Sequence, residues 1–287
     1  MKLFCVAISS LFTCFAQAAP FPIPIQADSA ILINGHTGKV IFEKNSEKKQ
    51  YPASLTKIAT AIYAIEKESH GLDLMMTPSQ DALGWISATE KSRDNYSRYP
   101  SHWLETDACH MGIKRDEQLA FKDLLYGLMI ASADDAANII AQHVGNGSIS
   151  QFIKELNQFL HSIGCHNTHF HNPHGLFHPN HMSTCADIAR LSQYAMKNEL
   201  FRDIVKTVRY ERPTTNKQEK SMMLQLNKLL RFGGRWYYKY AVGIKTGYIA
   251  KAKHNLACAA VKDGRLLIAV YMYCSDRDQM FQQARAA

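Results

Sequence analysis

Three short groups of residues in this chain can do chemistry. The first is Ser54-Leu55-Thr56-Lys57. On a helix, residues i and i+3 share a face, so the Ser54 hydroxyl and the Lys57 amine can meet. Serine becomes a nucleophile when a neighbour removes its proton, and a lysine does so once burial or nearby charge disfavours its ammonium form. A serine at a helix N-terminus also sits among unpaired backbone N–H groups and the positive end of the helix dipole, which suit an oxyanion. The second group is Ser132-Ala133-Asp134, in a predicted turn between two helices. The third is Lys245-Thr246-Gly247, closing the apolar run Ala241-Val242-Gly243-Ile244. Glycines flanking a Lys-Thr pair on a strand let a second backbone approach closely, so a peptide can lie alongside as an added strand. Taken singly, none of the three is specific, since each also occurs on solvated surfaces.

The elements that must position these groups follow from apolar periodicity. Ala30–Ile33 and Val40–Phe42 are β-rich runs joined by Asn34-Gly35-His36-Thr37-Gly38, which predicts a hairpin. Pro52 opens a helix over roughly Ala53–Lys67, placing Ser54 at its start. Residues 77–118 are polar and irregular, a predicted surface excursion whose Trp85, Tyr96, Tyr99 and Trp103 can border a cleft. Helices are predicted over Leu119–Met129, Asp134–Val144, Ile149–Ile163 and, capped by Ser183 or Thr184, up to Lys197. Strands are predicted over 240–246, 255–261 and 266–273, then a terminal helix from about Asp276. Strands at both ends with helices between give an α/β fold: one antiparallel sheet closed by pairing the N-terminal hairpin with the C-terminal strands, plus an all-helical half. The cleft between the halves is the expected site.

Composition narrows the class. The 287 residues are 46% hydrophobic and 20% charged, the ordinary globular range, which excludes a disordered or collagen-like chain. The net charge of +8 comes from scattered basic residues without aromatic-basic alternation, an argument against nucleic acid and in favour of an anionic partner. Lys2, the apolar stretch Leu3–Phe15 and Ala16-Gln17-Ala18 form a secretory leader cleaved after Ala18, so residues 19–287 are the expected mature domain, exported to the periplasm or cell envelope. Cys14 offers a weaker alternative, a lipoprotein site preceded by an unfavourable Thr13. The mature chain keeps Cys109, Cys165, Cys185, Cys258 and Cys274, an odd number without C-x-x-C, read as buried free thiols or one or two bridges.

Together and in order, the three groups resemble the S-x-x-K, S-x-N and K-T-G signature of the serine penicillin-recognising proteins. The resemblance extends further. Tyr51–Ala61, Asp123–Ser132 with Asp135-Ala136, and the connector Gly164…Asn167-Thr168-His169-Phe170…Asn172-Pro173-His174-Gly175-Leu176 are similar to the low-molecular-weight D-alanyl-D-alanine carboxypeptidases over about residues 28–280. The resemblance implies a β-lactamase/transpeptidase-like fold and a peptidoglycan stem peptide ending in D-Ala-D-Ala as substrate. It implies Ser54 as nucleophile, Lys57 as base and Ser132 as proton relay. Lys245, Thr246 and Gly247 would bind the substrate carboxylate, with Arg277 supporting it, and the Ser54 and Tyr248 N–H groups would form the oxyanion hole. β-Lactams would acylate the same serine, and no metal or organic cofactor is implied.

Two departures stand out. The signature's Asn is Asp134 here; ionised, it favours the charged lysine, so it is expected either to pair with Lys57 or to carry a raised pKa. Relatives also continue into a β-rich domain and an amphipathic membrane anchor, which this chain is expected to lack, leaving membrane association open. The competing readings are a D,D-endopeptidase on cross-linked stems, a class A β-lactamase, a weakly catalytic peptidoglycan-binding module, and metal binding. The β-lactamase reading suffers because Glu155-Leu156-Asn157 does not complete an E-x-x-L-N loop. Metal binding rests on the seven histidines between His161 and His181, whose spacing matches no closed zinc site.

Overall fold

Residues 24–286 are described by the computed structural model; the expected leader, its cleavage position and Cys14 lie outside them. The first two strands, β1 (Ser29–Asn34) and β2 (Val40–Lys44), form the predicted antiparallel hairpin, with Leu32 opposite Phe42. A single 3-10 turn, Ala53–Leu55, carries Ser54 and leads into α1 (Thr56–Lys67). That helix is apolar nearly all round, with Ile58, Ala59, Ala61 and Ile62 fully buried, as a helix at the centre of a bundle must be.

The 77–118 excursion is irregular over most of its length but it is not loose. Its two-residue flanks, β3 (Met75–Met76) and β4 (Leu119–Ala120), pair with each other. Within it, Ser87 and Glu90 form a reciprocal capping box that starts the short helix α2 (Ala88–Arg93). The helix expected from Leu119 begins instead as that strand, continues as α3 (Phe121–Tyr126), and ends in a wide turn over Gly127–Ala131. It delivers Ser132 in the left-handed region at φ 65°. A non-glycine residue held there costs about 1–2 kcal/mol, which the fully buried turn residues Leu128, Met129 and Ile130 sustain. Next come α4 (Asp134–Val144) and α5 (Ile149–Ser162). Asn138 of α4 donates to the carbonyls of Ala82 (3.0 Å) and His102 (2.8 Å), while the Asp135 carboxylate accepts from Met111 N–H and Ile113 N–H. These bonds fasten the excursion as one wall of the molecule.

The helix capped by Thr184 is α6 (Cys185–Ala195). After it, α7 (Glu199–Lys206) and the hairpin β5 (Arg209–Arg212) with β6 (Ser221–Leu224) were not predicted. The chain then forms β7 (Ala241–Ile249), β8 (Lys253–Lys262), β9 (Arg265–Cys274) and α8 (Arg277–Ala286). The main sheet is antiparallel with order β2-β1-β9-β8-β7, closed as expected by β1 against β9, where Ile31 faces Val270. Period-two alternation sorts its side chains onto two faces. Ile31, Ile33, Ile268 and Val270 pack towards α1 and α6, whereas Leu32, Ala269 and Tyr271 meet Met280 and Phe281 of α8. All five described cysteines are free thiols; four are buried and Cys109 is exposed.

Candidate active site

The helical half and the sheet meet at a cleft of about 820 Å³ whose walls include Ser54, Ser132, Asp134, Thr246, Tyr248 and Arg277. The structure thus brings together residues from three separate segments. Ser54 lies on the 3-10 turn after Ala53, itself at φ 49°. Two glycines let this turn sit where it does. A Cβ on Gly175 would lie 2.0 Å from Ala53 O, and one on Gly247 would lie 3.0 Å from Ser54 N. The connector loop and β7 therefore press directly on the backbone of the Ser54 turn: a larger residue at Gly175 clashes with it outright, and one at Gly247 would force it to shift.

Lys57 is fully buried and its amine has three neighbours: Ser54 Oγ at 3.0 Å, Asp134 Oδ1 at 2.5 Å and the His174 carbonyl at 2.7 Å. The connector exists in this form to hold that carbonyl. Asn172 accepts from Gly175 N–H at 2.7 Å and donates to Leu176 O at 2.9 Å, and Thr60 of α1 donates to Pro173 O at 2.6 Å. Asp134 answers the expectation in both its forms: it pairs with Lys57, and its carboxyl is nevertheless raised above the ordinary carboxylate range. Burial raises it more than the Lys57 charge and hydrogen bond lower it.

Ser132 is nearly buried at the cleft, and its hydroxyl has no protein hydrogen-bond partner among the described residues. On the sheet side, Lys245 is also buried, and among the described residues its amine donates only to the Thr246 carbonyl, at 3.0 Å. Burial, and then the nearby Lys57 charge, push its pKa down to about 7. Tyr248 stands exposed at the lip, stacked on His254 at 4.6 Å between ring centroids. Arg277, the first residue of α8, reaches the same cleft and helps hold the His254 imidazole below its usual pKa, after burial.

Sequence reasoning missed two charged residues here. Glu105, from the excursion, lines the cleft and is paired at 3.2 Å with the buried Lys91 of α2. Burial raises the Glu105 carboxyl despite Lys91, and Asp107 and Asp134 raise it further. No motif marks this pair; the only available signal was the Ser87-x-x-Glu90 box that builds α2.

The histidine-rich loop acts as a strut. His174 Nδ1 accepts from Leu176 N–H, so Nε2 carries the proton and donates to His102 O at 3.0 Å. His181 Nδ1 accepts from His171 N–H, so its Nε2–H donates to Thr56 Oγ1 at 2.8 Å. Both rings are buried and held neutral, and both nitrogens of each are occupied. Among the described residues no group of three or more His, Cys, Asp or Glu is arranged to hold a metal ion.

An antiparallel five-stranded sheet against a helical half, with this cleft between them, is the transpeptidase-like fold. It superposes on the crystal structure of the Streptomyces K15 DD-transpeptidase with a TM-score of 0.75 at 26% identity, covering 92% of this chain and 95% of that one. The family model for D-alanyl-D-alanine carboxypeptidases of peptidase family S11 matches residues 14–275, and the chain belongs to that family. It is 32% identical over 246 residues to the D-alanyl-D-alanine carboxypeptidase DacF of Bacillus subtilis, covering 85% of this chain and 57% of the relative. It is 29% identical over 249 residues to the D-alanyl-D-alanine carboxypeptidase of Streptomyces strain K15, covering 85% of this chain and 79% of that relative. The chain thus spans a little over half the length of the Bacillus relative.

Proposed function

We propose that this protein is a serine D-alanyl-D-alanine carboxypeptidase that removes the terminal D-alanine from peptidoglycan stem peptides and is acylated by β-lactams. The observation that carries this reading is Lys57 Nζ at 3.0 Å from Ser54 Oγ, buried and braced, with Ser54, Ser132 and Thr246 lining one cleft.

Two positions around the Lys57 nitrogen are taken by His174 O and Asp134 Oδ1, which leaves the third directed at Ser54 Oγ. With the lysine in its amine form, the lone pair at that third position receives the Ser54 proton as Oγ attacks the carbonyl carbon of the penultimate D-alanine. The negative oxygen that forms is received by the backbone N–H groups of Ser54 and Tyr248, a use that fits the close approach of β7 to the Ser54 amide. The C–N bond breaks as the proton passes through the Ser132 hydroxyl to the leaving nitrogen, releasing D-alanine. Water then cleaves the acyl-serine ester and restores Ser54. Lys245 and Thr246, with Arg277 nearby, bind the substrate's free carboxylate, and the excursion contributes the carboxyl groups of Glu105 and Asp107 to the same cleft. The leader pattern supports export to the cell envelope, with peptidoglycan as partner.

The test is incubation with an acylated Lys-D-Ala-D-Ala peptide, following free D-alanine. One D-alanine per peptide from the wild type and none from Ser54→Ala is expected. An intact peptide, or undiminished release by the variant, would overturn the reading. The K15 neighbour is called a DD-transpeptidase, and an amine can replace water in the second step. Glycine added as acceptor measures that share, and a cross-linked stem dimer tests the endopeptidase alternative.

A further inference from the structure

At the far end of β7 from the cleft lies a surface that the proposed reaction does not use. The loop entering β7 reads Arg231-Phe232-Gly233-Gly234-Arg235-Trp236-Tyr237-Tyr238-Lys239-Tyr240, and no acidic residue occurs between Lys220 and Lys262. Phe232 sits at the tip of a turn made by Gly233, at φ 75°, and Gly234; it is 88% exposed, the highest value among the exposed large apolar side chains. Tyr237 supports it edge-on at 5.3 Å between centroids. The cations around it are splayed over aromatic rings: Arg235 over Trp236 at 4.6 Å, and Lys239 and Lys262 over Tyr240 at 4.8 and 5.5 Å. Two acidic residues adjoin this surface. Asp278 of α8 is engaged with Lys228 and Arg235, and Asp263 lies in the exposed turn after β8.

We propose that this loop is a docking surface for an anionic lipid bilayer, with Phe232 entering the interface and Arg231, Arg235, Lys239 and Lys262 meeting phosphate headgroups. A soluble polyanion without aromatic rings is bound by the cations and gains nothing from a phenylalanine held out on a two-glycine turn. A protein partner would have to supply a pocket for this tip, and binding to pure lipid vesicles with no partner present separates the two readings. An apolar tip, the half-buried Tyr237, Tyr238 and Tyr240, and flanking Arg and Lys follow the order of layers at a membrane surface, while Trp236 anchors the loop in the core beneath. The geometry also suits the cleft. From Ala241 to Tyr248 the strand advances roughly 20 Å, so docking at one end would leave the cleft facing away from the bilayer.

The test is co-sedimentation of the processed chain, beginning at Ala19 so that the apolar Leu3–Phe15 stretch does not itself bind lipid. Vesicles of phosphatidylglycerol mixed with phosphatidylcholine are compared with pure phosphatidylcholine. Binding to the anionic vesicles only, weakened by salt, is expected. Phe232→Ser combined with Arg235→Ser should lower partitioning roughly tenfold or more. Penicillin labelling of Ser54 should be unchanged, which also reports that the variant is folded. In Phe232→Trp, the added emission should shift to the blue on anionic vesicles. The proposal is overturned if the wild type does not sediment, if the double variant binds like the wild type, or if the tryptophan emission does not move. It is equally overturned if a soluble polyanion binds as well as the vesicles and independently of Phe232.

Discussion

Two buried lysines lie just behind the lining of the same cleft, Lys57 beneath Ser54 and Asp134 and Lys245 next to Thr246, and their surroundings could hardly differ more. Lys57, on the helical wall, has three hydrogen-bond neighbours inside the protein. Lys245, on the strand wall, has one, the carbonyl of the next residue. Both are at most 1% exposed, so burial costs each its hydration. The helical wall compensates with a carboxylate, a carbonyl and a serine that fix where the amine points. The strand wall leaves the cost standing, and the Lys245 pKa falls to about 7. A group built to exchange a proton with one oxygen needs a fixed direction. A group built to receive an anion gains most when its partner arrives with the substrate.

The sharpest way to break this contrast is to empty the helical wall. Lys57→Ala should slow penicillin acylation by on the order of 10³-fold or more. It should also destabilise the fold by about 3 kcal/mol, because Asp134 is left buried without its cation. Adding Asp134→Asn to that variant should return much of the stability, read by urea unfolding, and none of the rate. A single variant that acylates at the wild-type rate would remove Lys57 from the mechanism.

A smaller effect is expected on the strand wall. Lys245→Ala should raise KM about 10- to 100-fold for a peptide with a free C-terminal carboxylate and leave its amide little changed. In the proposed role, Lys245 would bind the carboxylate in its protonated form, which dominates below its pKa of about 7. The Lys245 contribution to kcat/KM is therefore full at lower pH and falls about tenfold per unit as pH rises above about 7. A Lys245→Arg enzyme should lose that fall, since a guanidinium stays charged throughout. A pH profile identical in both would sink the assignment.

The smallest effect concerns Asp134 alone. Replacing it with Asn keeps the shape beside Lys57 and removes a site for negative charge, which favours the free amine. Asp134→Asn should raise the acylation rate several-fold in stopped-flow measurement; an unchanged or lower rate would show that the carboxyl assists the lysine.

The legible part of the molecule was the part written in local pattern. Alternation predicted the hairpin and the three C-terminal strands, and the expected cleft between the sheet and the helical half is where Ser54, Ser132 and Thr246 come together. What escaped has a common physical cause. The β5–β6 hairpin is largely exposed, its apolar Met222 and Leu224 included, with Tyr210 stacked at 3.9 Å on Tyr126, a residue far away in sequence. The Lys91–Glu105 pair is placed by bonds from Asn138 and Asp135 to backbone groups of the excursion, and backbone partners leave no mark on residue type. The loop histidines were legible as a cluster but not as struts, because their role depends on which carbonyl or hydroxyl each ring nitrogen meets.

The central claim is that Ser54, activated by Lys57, forms an acyl-enzyme. Intact-protein mass spectrometry after incubation with benzylpenicillin tests it most directly, with Ser54→Ala treated in parallel. The wild type alone is expected to gain the mass of one penicillin and to keep it. An unmodified wild type beside intact penicillin, or an adduct that persists in Ser54→Ala, would contradict it.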